Sequence, residues 1–197
     1  MPDRRGILKM AFDMSLLAVA AWACARSPER PKTMLMDHMR QLAQAPALTF
    51  ELVRDTLEVT FTKDEKYSHE MVTFFIGAPR TGSRFDGLIK LVDCRVPTPQ
   101  NTALKEPFVL VELQNVAGEQ VISGKQITTA TPLLAKDIVA KLGQPYSFDP
   151  APPEDPETWG SYVYKLGSRS LWVSLDRQSQ DKVRSFSIHP LEDVRRP

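Results

Sequence analysis

The stretch TPLLAKDIVAKLGQP, residues 131–145, decides the fold because it spells a helix with both ends marked. Thr131 can accept a hydrogen bond from the free amides of a first turn, and Pro132 suits the first helical position, where its missing N–H costs little. Leu134, Ile138 and Leu142 form one apolar stripe at helical spacing. Gly143 can take the left-handed conformation that closes a helix, and Pro145 forbids restarting it. Downstream, residues 148–157 hold four prolines and several acids and read as an irregular loop. Three alternating segments follow: Tyr162, Tyr164 and Leu166 before Gly167-Ser168; then Leu171, Val173 and Leu175; then 183–188, with Phe186 and Ile188 on one face.

Working upstream, the same order recurs. Leu48, Leu52 and Thr56 predict a helix over 48–57, and Leu57, Val59 and Phe61 a short extended piece after it. A polar loop spans 63–69. Strands are expected at 71–76, stopped by Gly77-Ala78-Pro79, at 88–96, and at 108–113. In the second, Leu88, Val92, Cys94 and Val96 share a face with Lys90, and Pro97 and Pro99 end it. Residues 115–126 read as a polar link. The expected class is therefore α+β: two tandem αβββ units, 47–116 and 117–190, each helix covering one face of an antiparallel sheet. The helices recur at about 80 residues, longer than solenoid periods. Residues 191–197 form a polar tail expected to be flexible.

The first 25 residues differ in kind. Arg4, Arg5 and Lys9 precede an apolar run over 10–25, shorter than the roughly 20 residues a membrane span needs. Basic, apolar and then small residues is the order of an export signal, and Ala23-Cys24-Ala25 fits its cleavage site. Asp13 interrupts the run, which a start at Met10 or Met14 would explain. Cys24 after small residues also suits lipidation, although Trp22 is bulky for that motif. Residues 26–46 are expected to hold a tether, 26–32, and a short helix, 34–43, with Leu35, Met39 and Leu42 inward. The expected location is the periplasm or outer membrane of a bacterium. If Cys24 is removed or lipidated, Cys94 has no partner for an internal disulfide. Alternation with Val92 and Val96 places Cys94 inside as an inert thiol, with Arg95 on the opposite face. A net charge of +1, 42% apolar and 25% charged residues argue for a globular protein without affinity for nucleic acid.

Residues 129–189 resemble a half-repeat of the β-lactamase-inhibitor-like fold and the small outer-membrane assembly lipoproteins. The likeness is carried by Leu142-Gly143-Gln144-Pro145 at the helix end, Trp159 and Tyr162-Val163-Tyr164 on a strand, and a closing hairpin with its polar turn at 176–181. It implies a protein-binding module of the cell envelope: an inhibitor, an immunity protein or an assembly accessory. It implies no fixed set of binding residues.

Candidate chemistry is sparse. His38, His69 and His189 have no Cys or second His at metal spacing, so neither zinc nor any other cofactor is expected. No Gly-x-Ser-x-Gly elbow is present, and His69 sits in a polar loop. Residues 77–82 lack the Gly-Lys-Ser/Thr ending of a phosphate loop and read as a turn. Met34, Met36, His38 and Met39 offer soft ligands suited to Cu(I), or a core-facing helix surface. Trp159, Tyr162, Tyr164 and Trp172 form an aromatic set of the type that anchors protein interfaces. The expectation is a non-enzymatic envelope protein that binds another protein, with no small-molecule substrate and no membrane contact beyond a lipid at Cys24. The alternatives are a small periplasmic hydrolase using His69 or His189, and a copper-handling protein using the methionine cluster.

Overall fold

The computed structural model describes residues 29–101, 105–114, 119–122, 125–128 and 132–190. The leader with Cys24, the cap residue Thr131 and the tail 191–197 lie outside the described residues. Among the described residues, three helices and a large antiparallel sheet make the fold α+β.

Helix α1, Glu29–Gln44, is longer than expected: residues 29–32 of the anticipated tether are already helical. Pro31 is tolerated there because first-turn amides need no intrahelical carbonyl. The helix buries Leu35, Met36, Met39, Leu42 and Ala43. Helix α2, Phe50–Thr56, begins where the Thr49 side chain accepts the Leu52 N–H at 3.2 Å. Helix α3, Ala135–Leu142, starts three residues after the expected Pro132. Its cap is Leu134, whose N–H donates to the Asp137 carboxylate at 3.0 Å. Leu133 and Leu134 are held extended instead, through Val183 N–H to Leu133 O at 2.8 Å and Ala135 N–H to Asp181 O at 2.7 Å. The helix ends at Gly143 as read, but with φ 84° and ψ −168° the glycine is not in the left-handed helical well; its N–H closes the last turn on Val139 O.

Strands β1 (Val59–Lys63), β2 (Val72–Pro79), β3 (Ile89–Pro97) and β4 (Phe108–Leu113) form one meander. Strands β5 (Glu119–Ile122) and β6 (Lys125–Thr128) pair as a separate hairpin, in the region read as a polar link. Strands β7 (Ser147–Pro150), β8 (Thr158–Leu166), β9 (Arg169–Asp176) and β10 (Val183–Pro190) form a second meander. The last strands of the two meanders lie side by side, Phe186 opposite Val111 and Ile188 opposite Val109. One eight-stranded sheet results, in the order β1-β2-β3-β4-β10-β9-β8-β7. Each meander has four strands rather than three, because the extended piece after α2 and the start of the proline loop both pair as edge strands.

All three helices contribute to one core with the inward residues of both meanders, among them Val92, Cys94, Val109, Val111, Phe186, Ile188, Leu171 and Val173. Bulges break the period of two. At Lys90 the register shifts between Ile89 and Leu91, so Ile89 is buried with Val92 while Lys90 turns out to pair with Glu112 at 3.2 Å. This corrects the expected shared face of Lys90 and Val92.

Helix α1 also carries His38, which packs edge-on against Phe85 with ring centroids 5.4 Å apart. Burial, and then the Arg84 guanidinium, hold its imidazole below the ordinary value; Glu58, Asp37 and a hydrogen bond with the Thr56 backbone oppose this. The unfolded chain therefore takes up the His38 proton more readily than the folded one. Its contribution to stability is complete above about pH 6.5 and is lost as pH falls through the lowered folded value. His38→Gln is expected to flatten the decline of unfolding free energy between neutral and mildly acidic pH. Parallel slopes for wild type and variant in urea titrations would refute this.

Candidate functional site

Two surfaces gather the functional residues read from the sequence. The first is the β7–β8 corner. All four residues of β7 are exposed. Among the described residues, five large apolar side chains are exposed, and three are here: Tyr146 at 61%, Phe148 at 40% and Trp159 at 38%. Phe148 stacks at a tilt on Trp159, centroids 4.9 Å apart, and meets Tyr162 edge-on at 5.8 Å. Gly160 makes this possible: a Cβ there would stand 2.2 Å from Phe148 Cζ and 2.9 Å from Asp149 O. A bulge between Thr158 and Gly160 takes Trp159 out of the ladder alternation. Asp149 follows Phe148 on β7 and so projects from the opposite face of the strand, and in the loop to β8 the Asp155 carboxylate accepts the Glu157 and Thr158 N–H groups at 2.8 and 2.9 Å. The cations near the corner are engaged: Arg184 pairs with Glu157, Arg177 binds the Pro153 and Asp155 carbonyls, and Lys165 stands 3.5 Å above the Tyr146 ring.

The second surface is the sheet face opposite the helices. A row of side chains crosses five strands: Phe74 on β2, Arg95 on β3, Phe108 on β4, His189 on β10 and Trp172 on β9. The Arg95 guanidinium lies 5.2 Å from the Phe74 centroid and 4.8 Å from that of Phe108. Phe108 and His189 are 5.0 Å apart, His189 and Trp172 5.2 Å. Arg95 also pairs with Asp93 Oδ2 at 2.8 Å, leaving buried Asp93 Oδ1 without a hydrogen bond. Serines fill the strands around Trp172: its Nε1 donates to Ser170 Oγ at 2.9 Å, and Ser187 Oγ lies 2.8 Å from His189 Nε2.

The expected aromatic set is therefore divided between environments. Trp159 belongs to the corner and Trp172 to the open face. Tyr162 is half-buried against the core. Tyr164 is 4% exposed, and its hydroxyl donates to Gly143 O at 3.2 Å, bracing the end of α3. Burial raises its phenol to about 12. Phe148 and Tyr146, absent from the expected set, are more exposed than either tyrosine. Their signal was present in the sequence, as aromatics beside a proline-rich acidic segment.

Other expected sites resolve as follows. Cys94 is fully buried, its thiol pushed up to about 12 by burial and then by Asp93, which makes it a poor nucleophile. Met36 and Met39 are core residues, and Met34 packs against the core. Two helical positions apart, Met36 and His38 point about 200° from one another, whereas Met34 and His38, four apart, share a face of α1. His69 is exposed, its Nδ1 accepting the Met71 N–H at 3.3 Å. Among the described residues, no three His, Cys, Asp or Glu side chains gather as a metal set. No described helix is long and apolar enough to cross a membrane. No protein-family model, curated protein or solved structure matches this chain.

Proposed function

We propose that this is an exported cell-envelope protein that works by binding another protein, as an inhibitor, an immunity protein or an assembly accessory. The observation that carries the reading is the exposed Tyr146–Phe148–Trp159 corner. Apolar side chains of this size left in water cost free energy unless a partner covers them, and aromatic anchors dominate protein interfaces. Acidic residues adjoin the rings in the sequence, Asp149 after Phe148 and Glu154, Asp155 and Glu157 before Trp159, and favour a partner segment with an apolar anchor flanked by Lys or Arg. Export rests on the order of residues in the leader, and a mature N-terminus determined by mass spectrometry tests it together with lipidation at Cys24. The two four-stranded meanders, each following a helix, support reading the halves as tandem units.

A photo-crosslinkable residue at Tyr146 identifies the partner, and titration measures its affinity. Replacing both Phe148 and Trp159 by Ala is expected to weaken binding at least about tenfold while the thermal transition stays in place. Undiminished affinity in the double variant would remove the corner from the interface.

The Ser187–His189 contact favours a second reading, a hydrolase in which His189 takes the Ser187 proton as that oxygen attacks an ester carbonyl, the ester C–O bond breaks with the proton passing to the departing alcohol, and water then releases the acyl group from Ser187. It predicts p-nitrophenyl acetate cleavage lost in His189→Ala with folding retained. Equal rates in the two proteins would discard it.

A further inference from the structure

The groove between α1 and α3, about 250 Å³ in volume, contains a charge that the described residues leave largely unpaired. Lys32 on α1 lines it and is only 5% exposed. The Lys32 ammonium has three donors, and the Pro132 carbonyl at 3.3 Å takes one. No carboxylate among the described residues lies within ion-pair distance of it. Buried ammonium groups are normally paired, because removing such an ion from water costs several kcal/mol that one neutral carbonyl offsets poorly. The other charges facing the groove already have partners. Lys141 on α3 holds Asp37 at 2.8 Å, and the Asp137 carboxylate caps the Leu134 N–H at the N-terminus of α3. Met36 and Leu133 form an apolar wall, which strengthens the pull of an unpaired cation on an anion.

We propose that this groove binds a small oxyanion, a phosphate or a carboxylate, with the Lys32 ammonium as its principal ligand. The site lies on the helical side of the protein and is independent of the aromatic corner. A free metabolite and an acidic group on a partner would bring the same chemistry.

The test is thermal unfolding and isothermal titration of the full chain with inorganic phosphate and with acetate, at ionic strength held constant with chloride. Wild-type Tm is expected to rise saturably with one of the two anions, as mass action on a folded-state site requires. Lys32→Met should bind at least about tenfold more weakly and, without anion, should melt no lower than wild type, because it removes an incompletely paired buried charge. Lys32→Arg should retain binding, and serves if the methionine variant does not fold. Protection by phosphate alone marks a phosphoryl ligand, and protection by acetate alone a carboxylate. Identical wild-type melting in chloride, phosphate and acetate overturns the proposal, and so does unaltered binding in Lys32→Met.

Discussion

Replacing Arg169 by Ala is expected to reduce the unfolding free energy by about 3–5 kcal/mol, the range for breaking a buried ion pair by removing one partner. Arg169 opens β9 and is 1% exposed. Its Nη2 and Nε meet the two oxygens of Glu106 at 2.5 and 2.6 Å, the bidentate arrangement a guanidinium is shaped for. Its Nη1 donates to the carbonyls of Ala43, at 3.3 Å, and Ala45. These close the end of α1, which has no basic residue in its last turn, so Arg169 supplies from the sheet the cation that the helix terminus lacks. One side chain thus ties α1, the segment before β4 and β9 together. Its removal strands the Glu106 carboxylate and two carbonyls. Glu106 is one-third exposed and can recover water, which places the loss towards the lower end of the range. Urea denaturation followed by circular dichroism measures it, and a loss below about 1 kcal/mol, the scale of a surface pair, would show that the clamp adds little.

Nothing near Arg169 in the sequence announces this role. Gly167-Ser168-Arg169 reads as a hairpin turn, and the partners of the arginine lie 63, 124 and 126 residues away. Local signals were legible where they are self-contained. Gly143 and Pro145 fixed the end of α3, and alternation located β8, β9 and β10. Three features lay beyond them. The extended piece at β1 showed in the alternation of Leu57, Val59 and Phe61 but not its pairing with β2, whereas β7 is too short to display alternation, and its Pro150 reads as loop chemistry although an edge tolerates it. Bulges at Lys90, Trp159 and Arg184 each shift the inward face by one residue, so a strict period misplaces one flank of the strand. Long-range pairing is the third: no local pattern says that β4 and β10 lie side by side, which is what fuses two meanders into one sheet. The candidate site was legible as a composition of aromatics, but which of them face water depends on that pairing and on the glycine at 160.

Phe186→Ala tests the seam directly and is expected to cost about 3–5 kcal/mol, the range for truncating a fully buried Phe. Phe186 is fully buried on β10, between Val111 of β4 and Val173 of β9. Among the described residues the β4–β10 ladder is the only strand pairing between the two meanders of the sheet, and the cavity left by the ring would open at that junction. Helix α1 packs on β8, β9 and β10 and contacts α2, so the helical layer also spans both halves. The two halves should therefore unfold together, and the variant should lose stability as one unit with a lowered midpoint and an unchanged urea slope. Tryptophan fluorescence, with Trp159 and Trp172 in the second meander, can be compared with circular dichroism, which reports the whole sheet. Coincident transitions that move together in Phe186→Ala are the expected result. A fluorescence transition that shifts while part of the circular dichroism signal stays at the wild-type midpoint would mean that the first meander folds without the second. The sheet would then be two abutting domains rather than one cooperative layer.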